Sequence, residues 1–196
     1  MPAADRPDAH LEDAAADLLS IAMSRPATLG PGRLICIDGP AGSGKTTLAR
    51  AVADIADVTD AAVVHMDDLY AGWDGLADGI AQIETILAPL AAGATGSYRR
   101  YDWHAGELAE TVLVPPAPLL VIEGVGSGAM AYTDRRTALA WLAAPPELRK
   151  QRGLGRDGDT FAPHWEAWAR AETDLFATEM TAARADVVVL TDRQER

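Results

Sequence analysis

Residues 39–46 constrain the fold of this chain more than any other segment. They read Gly-Pro-Ala-Gly-Ser-Gly-Lys-Thr and match the P-loop pattern G-x-x-x-x-G-K-[ST]. A short apolar run at residues 33–38 precedes them, and apolar residues recur at helical spacing through residues 45–57. The three segments predict a buried parallel strand, a tight glycine loop and a helix, in that order.

The same loop is suited to holding the phosphates of a nucleoside triphosphate. Glycine at positions 39, 42 and 44 permits backbone angles at which successive N–H groups curl around a phosphate, and the helix N-terminus adds partial positive charge. We expect Lys45 to reach the β- and γ-phosphates and the Thr46 hydroxyl to ligate Mg²⁺. The predicted nucleotide-binding residues are Gly39, Pro40, Ala41, Gly42, Ser43, Gly44, Lys45, Thr46 and Thr47.

Length and charge limit the kinds of protein this chain can be. Its 196 residues predict one domain, residues 1–196, with residues 1–9 disordered and a small lid at about residues 147–160. The 17 basic and 29 acidic residues give a net charge of −12, which argues against a nucleic-acid partner. In so negative a field, a cluster of arginines indicates a local anion site.

Composition also predicts the compartment and the phosphate donor. The single cysteine, Cys36, excludes an internal disulfide and falls in the first predicted strand as apolar filler. There is no basic-then-apolar leader, and no apolar run approaches the ~20 residues of a membrane span, so we expect a cytoplasmic protein without a membrane partner. The chain contains no asparagine, which excludes an N-K-x-D guanine-binding motif and favours ATP.

Short apolar runs alternate with helical patterns along the rest of the chain. Helices are predicted at residues 10–23, around residues 80–90, where Pro89 should kink or end the helix, and at residues 163–184. The predicted strands are residues 33–38, 61–66, 119–122, 137–143 and 186–190. This alternation predicts an α/β fold, the three-layer fold of P-loop NTPases with a five-stranded parallel sheet, with ligands at the carboxyl ends of the strands.

Acidic residues stand directly after two of the predicted strands. Asp67 and Asp68 follow residues 61–66, and Glu123 follows residues 119–122. Phosphoryl transfer needs an acidic residue near Mg²⁺ and a carboxylate that accepts the proton of the attacking hydroxyl. We assign Asp67 to the site, whereas for Asp68 a site role and a turn-capping role fit the pattern equally well.

Four segments resemble those of a known family. Asp67-Asp68-Leu69-Tyr70 resembles a D-[DS]-F-Y segment, Tyr101-Asp102-Trp103 a Y-D-[FW] segment and Glu123-Gly124-Val125 an E-G-I segment, and residues 148–157 resemble an arginine-rich lid. Together with the P-loop, these segments occur in the order found in the uridine kinase/phosphoribulokinase/pantothenate kinase group, over residues 33–191. The chain is similar to uridine kinase-like P-loop kinases.

The resemblance implies roles for individual residues. Asp67 would be the general base on a 5′-hydroxyl, Glu123 would join Thr46 at the metal, and Arg152 and Arg156 would close over the phosphates. With Lys45 of the P-loop, the predicted catalytic residues are Asp67, Lys45, Arg152 and Arg156. Tyr70 and Trp103 would help to hold the base of the acceptor. The full set of residues predicted to bind the acceptor is Asp67, Tyr70, Tyr101, Trp103 and Arg149.

Two stretches differ from the family pattern. His104 follows the Y-D pair early and no arginine comes after it, and either Asp74 or Asp78 could stand in place of a ribose-binding acid. Arg99-Arg100 is surface charge by default, but the pair could bind an anionic acceptor, which would indicate a kinase of a nucleotide or another phosphorylated metabolite.

The lid is predicted from its arginines and glycines. Arg149 and Arg152 lie three residues apart on a helix that begins at Pro145-Pro146, and Arg156 falls in a glycine-flanked loop. Glycines at positions 153, 155 and 158 offer hinges, although a solvated charged helix end would give the same pattern.

Aromatic and histidine residues outside these segments carry no predicted chemistry. Trp165 and Trp168 at helical spacing predict core packing and not a base-stacking platform. His10, His65 and His164 show no partner pattern that would indicate a metal site.

Together these features predict an ATP- and Mg²⁺-dependent kinase of a small-molecule hydroxyl. The expected acceptor is a nucleoside such as uridine or cytidine, and the alternatives are another small metabolite or nucleotide on the same scaffold, or a non-catalytic ATP-binding switch protein. The sequence leaves a homo-oligomer open.

Overall fold

The computed structural model describes residues 9–56 and 61–191, with side chains throughout except at positions 9, 157 and 159. The disorder predicted for the N-terminus and the predicted end of the P-loop helix at residue 57 lie outside the described residues, although residue 9 itself begins the first helix. The helices are α1 (Ala9–Ser24), α2 (Lys45–Ile55), α3 (Leu76–Ala91), α4 (Pro146–Phe161), α5 (Trp165–Glu179) and α6 (Thr181–Arg184). The strands are β1 (Arg33–Asp38), β2 (Ala61–His65), β3 (Gly96–Asp102), β4 (Glu107–Val114), β5 (Leu119–Glu123), β6 (Ala138–Ala143) and β7 (Val187–Leu190).

Five of the strands form the predicted parallel sheet. Their order is β2-β5-β1-β6-β7, and every neighbouring pair within it is parallel. Helices cover both faces, which confirms the predicted α/β P-loop fold. The apolar runs are nearly continuous because successive strand residues point to opposite faces and both faces are buried.

Each face of the sheet has its own core. On one face, Ile35 and Ile37 of β1 pack with Leu18 of α1 and with Leu48 and Val52 of α2. On the other face, the alternate β1 residues pack against α3 and α5. Burying an aliphatic side chain of this kind contributes about 1.5–3 kcal/mol, so the two cores fix the positions of β1 and α2, which the P-loop connects.

Strands β3 and β4 form an antiparallel hairpin that the sequence did not reveal. Its inward residues, Tyr98 and Val114, are buried against the α3 side of the molecule, whereas their neighbours along each strand are exposed or half-buried. Charged and polar residues interrupt both strands, and the longest apolar run, residues 112–114, is only three residues long, so the pattern did not predict these strands. The hairpin is a separate two-stranded sheet.

Several predicted boundaries are corrected. The strand at 61–66 ends at His65, because Met66–Asp68 form a 3₁₀ turn. The long helix at 163–184 is broken at Met180, whose φ of 51° is left-handed, so α5 and α6 are separate helices. In α3, Pro89 lies within the last turn and the helix ends two residues later, at Ala91.

The arginine-rich segment is also more helical than predicted. Helix α4 extends through Arg156, which the sequence placed in a loop, and only Gly158 (φ 56°, ψ −137°) interrupts it. Gly153 is not a hinge in this arrangement: a Cβ there would come within 2.7 Å of the Trp165 ring, so the missing side chain permits α4 to pack closely on α5.

Candidate active site

A pocket of about 770 Å³ lies at the carboxyl ends of β1, β2 and β5. Its walls come from the P-loop, the 3₁₀ turn after β2, the β3–β4 hairpin and helices α4 and α5. The predicted site residues that line it are Ala41, Gly42, Gly44, Lys45, Thr46, Thr47, Asp67, Tyr70, Trp103, Glu123, Arg152 and Arg156. The fold therefore brings together residues that the sequence places more than 100 positions apart.

The P-loop has the backbone that its sequence predicts. Gly39 has a φ of 143° and Gly44 a φ of 96°, and a side chain at position 39 would collide with the Leu142 carbonyl. Lys45 is buried, with 8% of its surface exposed, and its ammonium group donates to the Pro40 carbonyl at 3.0 Å. The one lysine of the loop thus lies inside the ring of backbone groups that is expected to hold phosphate.

An acidic group lies directly beside the start of α2. Glu123 is the last residue of β5, and its Oε1 accepts hydrogen bonds from the Thr46 hydroxyl at 2.9 Å and from His65 Nδ1 at 2.7 Å. Burial pushes the pKa of Glu123 up, but the His65 bond, the Lys45 charge and the Thr46 bond outweigh burial and hold it below its usual value. Glu123 is therefore a carboxylate at neutral pH.

The donor set at this end of the pocket suits Mg²⁺ better than a metal held by protein alone. The described residues contain no group of three or more His, Cys, Asp or Glu side chains that could hold a metal ion. Thr46 and Glu123 offer two oxygen donors next to the phosphate loop. Mg²⁺ typically binds through one or two protein oxygens and completes its shell with substrate phosphates and water, so these residues fit that ion.

Asp67 and Asp68 face different surroundings. Asp67 lines the pocket, and its carboxylate lies 3.6 Å from Arg156 of α4, with both side chains more than half exposed. The Tyr98 hydroxyl of the hairpin donates to Asp68 at 3.3 Å. The two neighbouring carboxylates are thus divided between the pocket and the hairpin.

Aromatic rings form part of the pocket wall. Trp73, which the sequence did not single out, stacks on Phe161 (5.0 Å between centroids, 13° between planes) and His164 (4.6 Å, 11°) and lies 4.6 Å from Trp103. Trp168 is buried as predicted, yet it also lines the pocket. These rings join the loop after β2, the hairpin and the α4–α5 region into one wall.

Tyr70 and Trp103, both predicted to contact the acceptor, use their polar atoms on the protein itself. The Tyr70 hydroxyl donates to the Val125 carbonyl at 2.6 Å, and Trp103 Nε1 donates to the Asp67 carbonyl at 2.9 Å. Both side chains therefore offer ring surface to the pocket.

Some residues from the sequence-based assignment lie away from the pocket lining. Tyr101 packs edge-on against Trp103 at 5.1 Å, and Asp74 and Asp78 are exposed and do not line the pocket. Arg99 donates to the Leu108 and Ala109 carbonyls across the hairpin. Arg100 bonds to Glu110 at 2.7 Å. The two arginines fasten the hairpin, which agrees with their reading as surface charge.

Two acidic residues that the sequence did not single out fasten the P-loop from behind. Asp38 is fully buried and accepts hydrogen bonds from the backbone N–H groups of Gly39 (2.7 Å), Gly126 (2.9 Å) and Gly128 (3.0 Å). Burial raises its pKa to about 6, although these bonds act in the opposite direction. Glu172 of α5 accepts from the Ala41 N–H at 2.8 Å. Of the two, only Asp38 could have been suspected from the sequence, because it directly precedes the P-loop motif, whereas Glu172 lies 131 positions from Ala41.

Comparison with solved structures supports the fold. A structure described as a candidate uridine kinase from Bacillus stearothermophilus superposes with a TM-score of 0.65 at 23% identity, covering 91% of this chain and 98% of that one. A candidate fructose transport system kinase from Silicibacter sp. TM1040 gives a TM-score of 0.60 at 20% identity, with coverage of 91% and 98%. The chain has the fold of the P-loop kinases.

Sequence comparison adds no narrower relationship. No protein-family model matches the chain, and no curated protein matches it in sequence. Within the described ranges, no helix is both long and apolar enough to cross a bilayer.

Proposed function

We propose that this protein is an ATP- and Mg²⁺-dependent kinase that transfers the γ-phosphoryl group to a hydroxyl of a small, nucleoside-like molecule. The observation that carries the proposal is that Asp67 lines the same pocket as Lys45 and Thr46. A carboxylate and a phosphate-binding loop in one pocket are the two parts that phosphoryl transfer to a hydroxyl requires.

The residues divide the chemistry among them. The P-loop N–H groups and Lys45 hold the phosphates, and Thr46 with Glu123 would bind Mg²⁺, which when present neutralises phosphate charge. Asp67 accepts the proton of the acceptor hydroxyl as the new bond forms. Arg152 and Arg156 on α4 face the pocket, where they stabilise charge that develops on the transferred group.

The aromatic wall supports a planar acceptor. Tyr70, Trp103 and Trp168 line the same pocket as the P-loop residues. Rings of this kind favour stacking against a base. The two structural neighbours are described as candidate kinases of a nucleoside and of a sugar transport system, so both acceptor classes belong in the test.

An ADP-release screen tests the proposal. Purified protein with ATP and Mg²⁺ is offered uridine, cytidine, other nucleosides, nucleoside monophosphates, sugars and pantothenate. We expect ADP release that depends on a nucleoside, with the phosphorylated product identified by mass spectrometry. ATP hydrolysis that no acceptor stimulates would overturn the kinase assignment in favour of an ATP-dependent switch.

A further inference from the structure

His65 and Glu123 end neighbouring strands of the sheet at the same level. In the register of β2 with β5 the two residues are direct partners, as are Val63 and Val121 two residues earlier. Both valines pack in the core on the α2 side of the sheet. Since strand residues two apart share a face, His65 and Glu123 also project toward α2, where Thr46 lies.

The contact between them is short and well defined. His65 Nδ1 lies 2.7 Å from Glu123 Oε1, the same oxygen that accepts the Thr46 hydroxyl at 2.9 Å. A carboxylate can only accept, so Nδ1 carries the proton in this bond, whether or not the other ring nitrogen is also protonated. No hydrogen bond to Oε2 is found within the described part of the chain.

We propose that His65 is a positioning residue that holds Glu123 in the orientation needed at the divalent-cation site. The Nδ1–H anchors Oε1 on the side of β2, which keeps the carboxylate beside Thr46 and leaves Oε2 for the cation. The inference rests on the proposed function in one respect: it takes Thr46 and Glu123 as the cation's protein ligands.

Burial explains why an anchor of this kind has an effect. The Glu123 side chain is 6% exposed, whereas the His65 ring is 45% exposed. With little water to replace it, loss of the His65 bond leaves the Thr46 hydroxyl as the one side-chain donor to Glu123 among the described residues. Removing a residue that orients a metal-binding carboxylate typically lowers metal affinity 10- to 100-fold.

Amide substitutions at position 65 distinguish the effect of the hydrogen bond to Glu123 from the effect of side-chain size. The Asn side-chain N–H₂ lies close to where Nδ1 of histidine lies, whereas the Gln amide reaches further out, toward the position of Nε2. The comparison uses His65→Asn, His65→Gln and His65→Ala, with His10→Asn as a matched control on the exposed surface of α1.

Mn²⁺ binding to the ADP-loaded protein, followed by electron paramagnetic resonance, gives a readout without turnover. We expect His65→Gln and His65→Ala to bind Mn²⁺ at least ~10-fold more weakly, while His65→Asn and His10→Asn stay within a few-fold of wild type. Affinity for ADP in the absence of metal should not change. Wild-type Mn²⁺ affinity in the Gln and Ala variants, or an Asn variant as weak as Ala, would overturn the inference.

A measurement on the wild-type protein tests the inference even if the variants fold poorly. In ¹⁵N-histidine NMR of wild type, the His65 Nδ1 should be protonated at neutral pH, and a ring protonated only at Nε2 would overturn the inference. These readouts need no acceptor, so a failed acceptor screen contradicts the kinase proposal and leaves the His65 result standing. If the kinase is active, His65→Gln and His65→Ala should raise the Mg²⁺ concentration for half-maximal rate without changing the KM for the acceptor.

Discussion

Arg149 of α4 and Glu172 of α5 form an ion pair that holds both backbone groups of one P-loop residue, Ala41. The guanidinium donates to Glu172 at 2.9 Å and to the Ala41 carbonyl at 3.2 Å, and Glu172 accepts from the Ala41 N–H at 2.8 Å. Glu172 is almost completely buried. Arg149, assigned from the sequence to the acceptor, therefore braces the phosphate loop and does not line the pocket.

Glu172→Ala is expected to destabilise the protein by about 3 kcal/mol or more, because it leaves the Arg149 charge and the Ala41 N–H without their acceptor. The control is Glu166→Ala, which removes an exposed bond to Lys150 of 2.7 Å and should change stability far less, because water and salt screen an exposed pair. Urea denaturation measures both. Equal losses in the two variants would contradict a bracing role for the pair.

Lys45→Ala should abolish most of the stabilisation by ATP. The ammonium group lies within the loop beside the Pro40 carbonyl, in the position from which it would meet phosphate oxygens. A ligand at 100 times its Kd stabilises a protein by about 2.7 kcal/mol, so wild type should show a clear rise in Tm with ATP. Lys150→Ala, at the exposed second lysine, should keep that rise. An equal shift in both variants would remove Lys45 from the nucleotide site.

Asp67→Asn should lower the rate of phosphoryl transfer by about 10²–10⁴-fold while nucleotide still binds, because an amide cannot accept the hydroxyl proton. Asp68→Asn serves as the control, since Asp68 bonds to Tyr98 of the hairpin and should have a smaller effect. Single-turnover transfer to the best acceptor is the measurement. If Asp67→Asn kept more than about a tenth of the rate, the assignment of Asp67 as general base would be wrong.

Asp38 should make stability depend on pH in an unusual direction. Its pKa rises from 3.8 to about 6 on folding, so between those values the folded protein binds a proton that the unfolded chain has released. The contribution of this group to stability therefore declines as pH rises through that window, by about 3 kcal/mol in all, and is level above it.

Asp38→Asn isolates that contribution, because other titrating groups cancel in the comparison. The free energy of unfolding of wild type minus that of the variant should fall between about pH 4 and pH 6 and stay constant at higher pH. Urea titrations across the range measure it. A difference that rises with pH would show that the three N–H bonds to Asp38 outweigh its burial.

The P-loop and α4 show which structural features could be predicted from the sequence and which could not. The P-loop motif and its flanking strand and helix follow from local spacing, and the structure has them where the sequence predicts. In α4, the glycines and arginines indicated a hinged lid, but Gly153 permits packing on Trp165 and Arg149 bonds to Glu172. The sequence shows where glycines and arginines occur, but it does not show which residues they contact in the folded protein.

The sequence by itself determined the parallel α/β core, the phosphate loop and the acids at the strand ends, because hydrophobic periodicity and glycine geometry act over a few residues. Only the tertiary structure decided that His65 meets Glu123, 58 positions away, and that Glu172 reaches Ala41, 131 positions away. These pairs depend on strand register and helix packing. Both are set by burial summed over the whole chain, so no local pattern contains them.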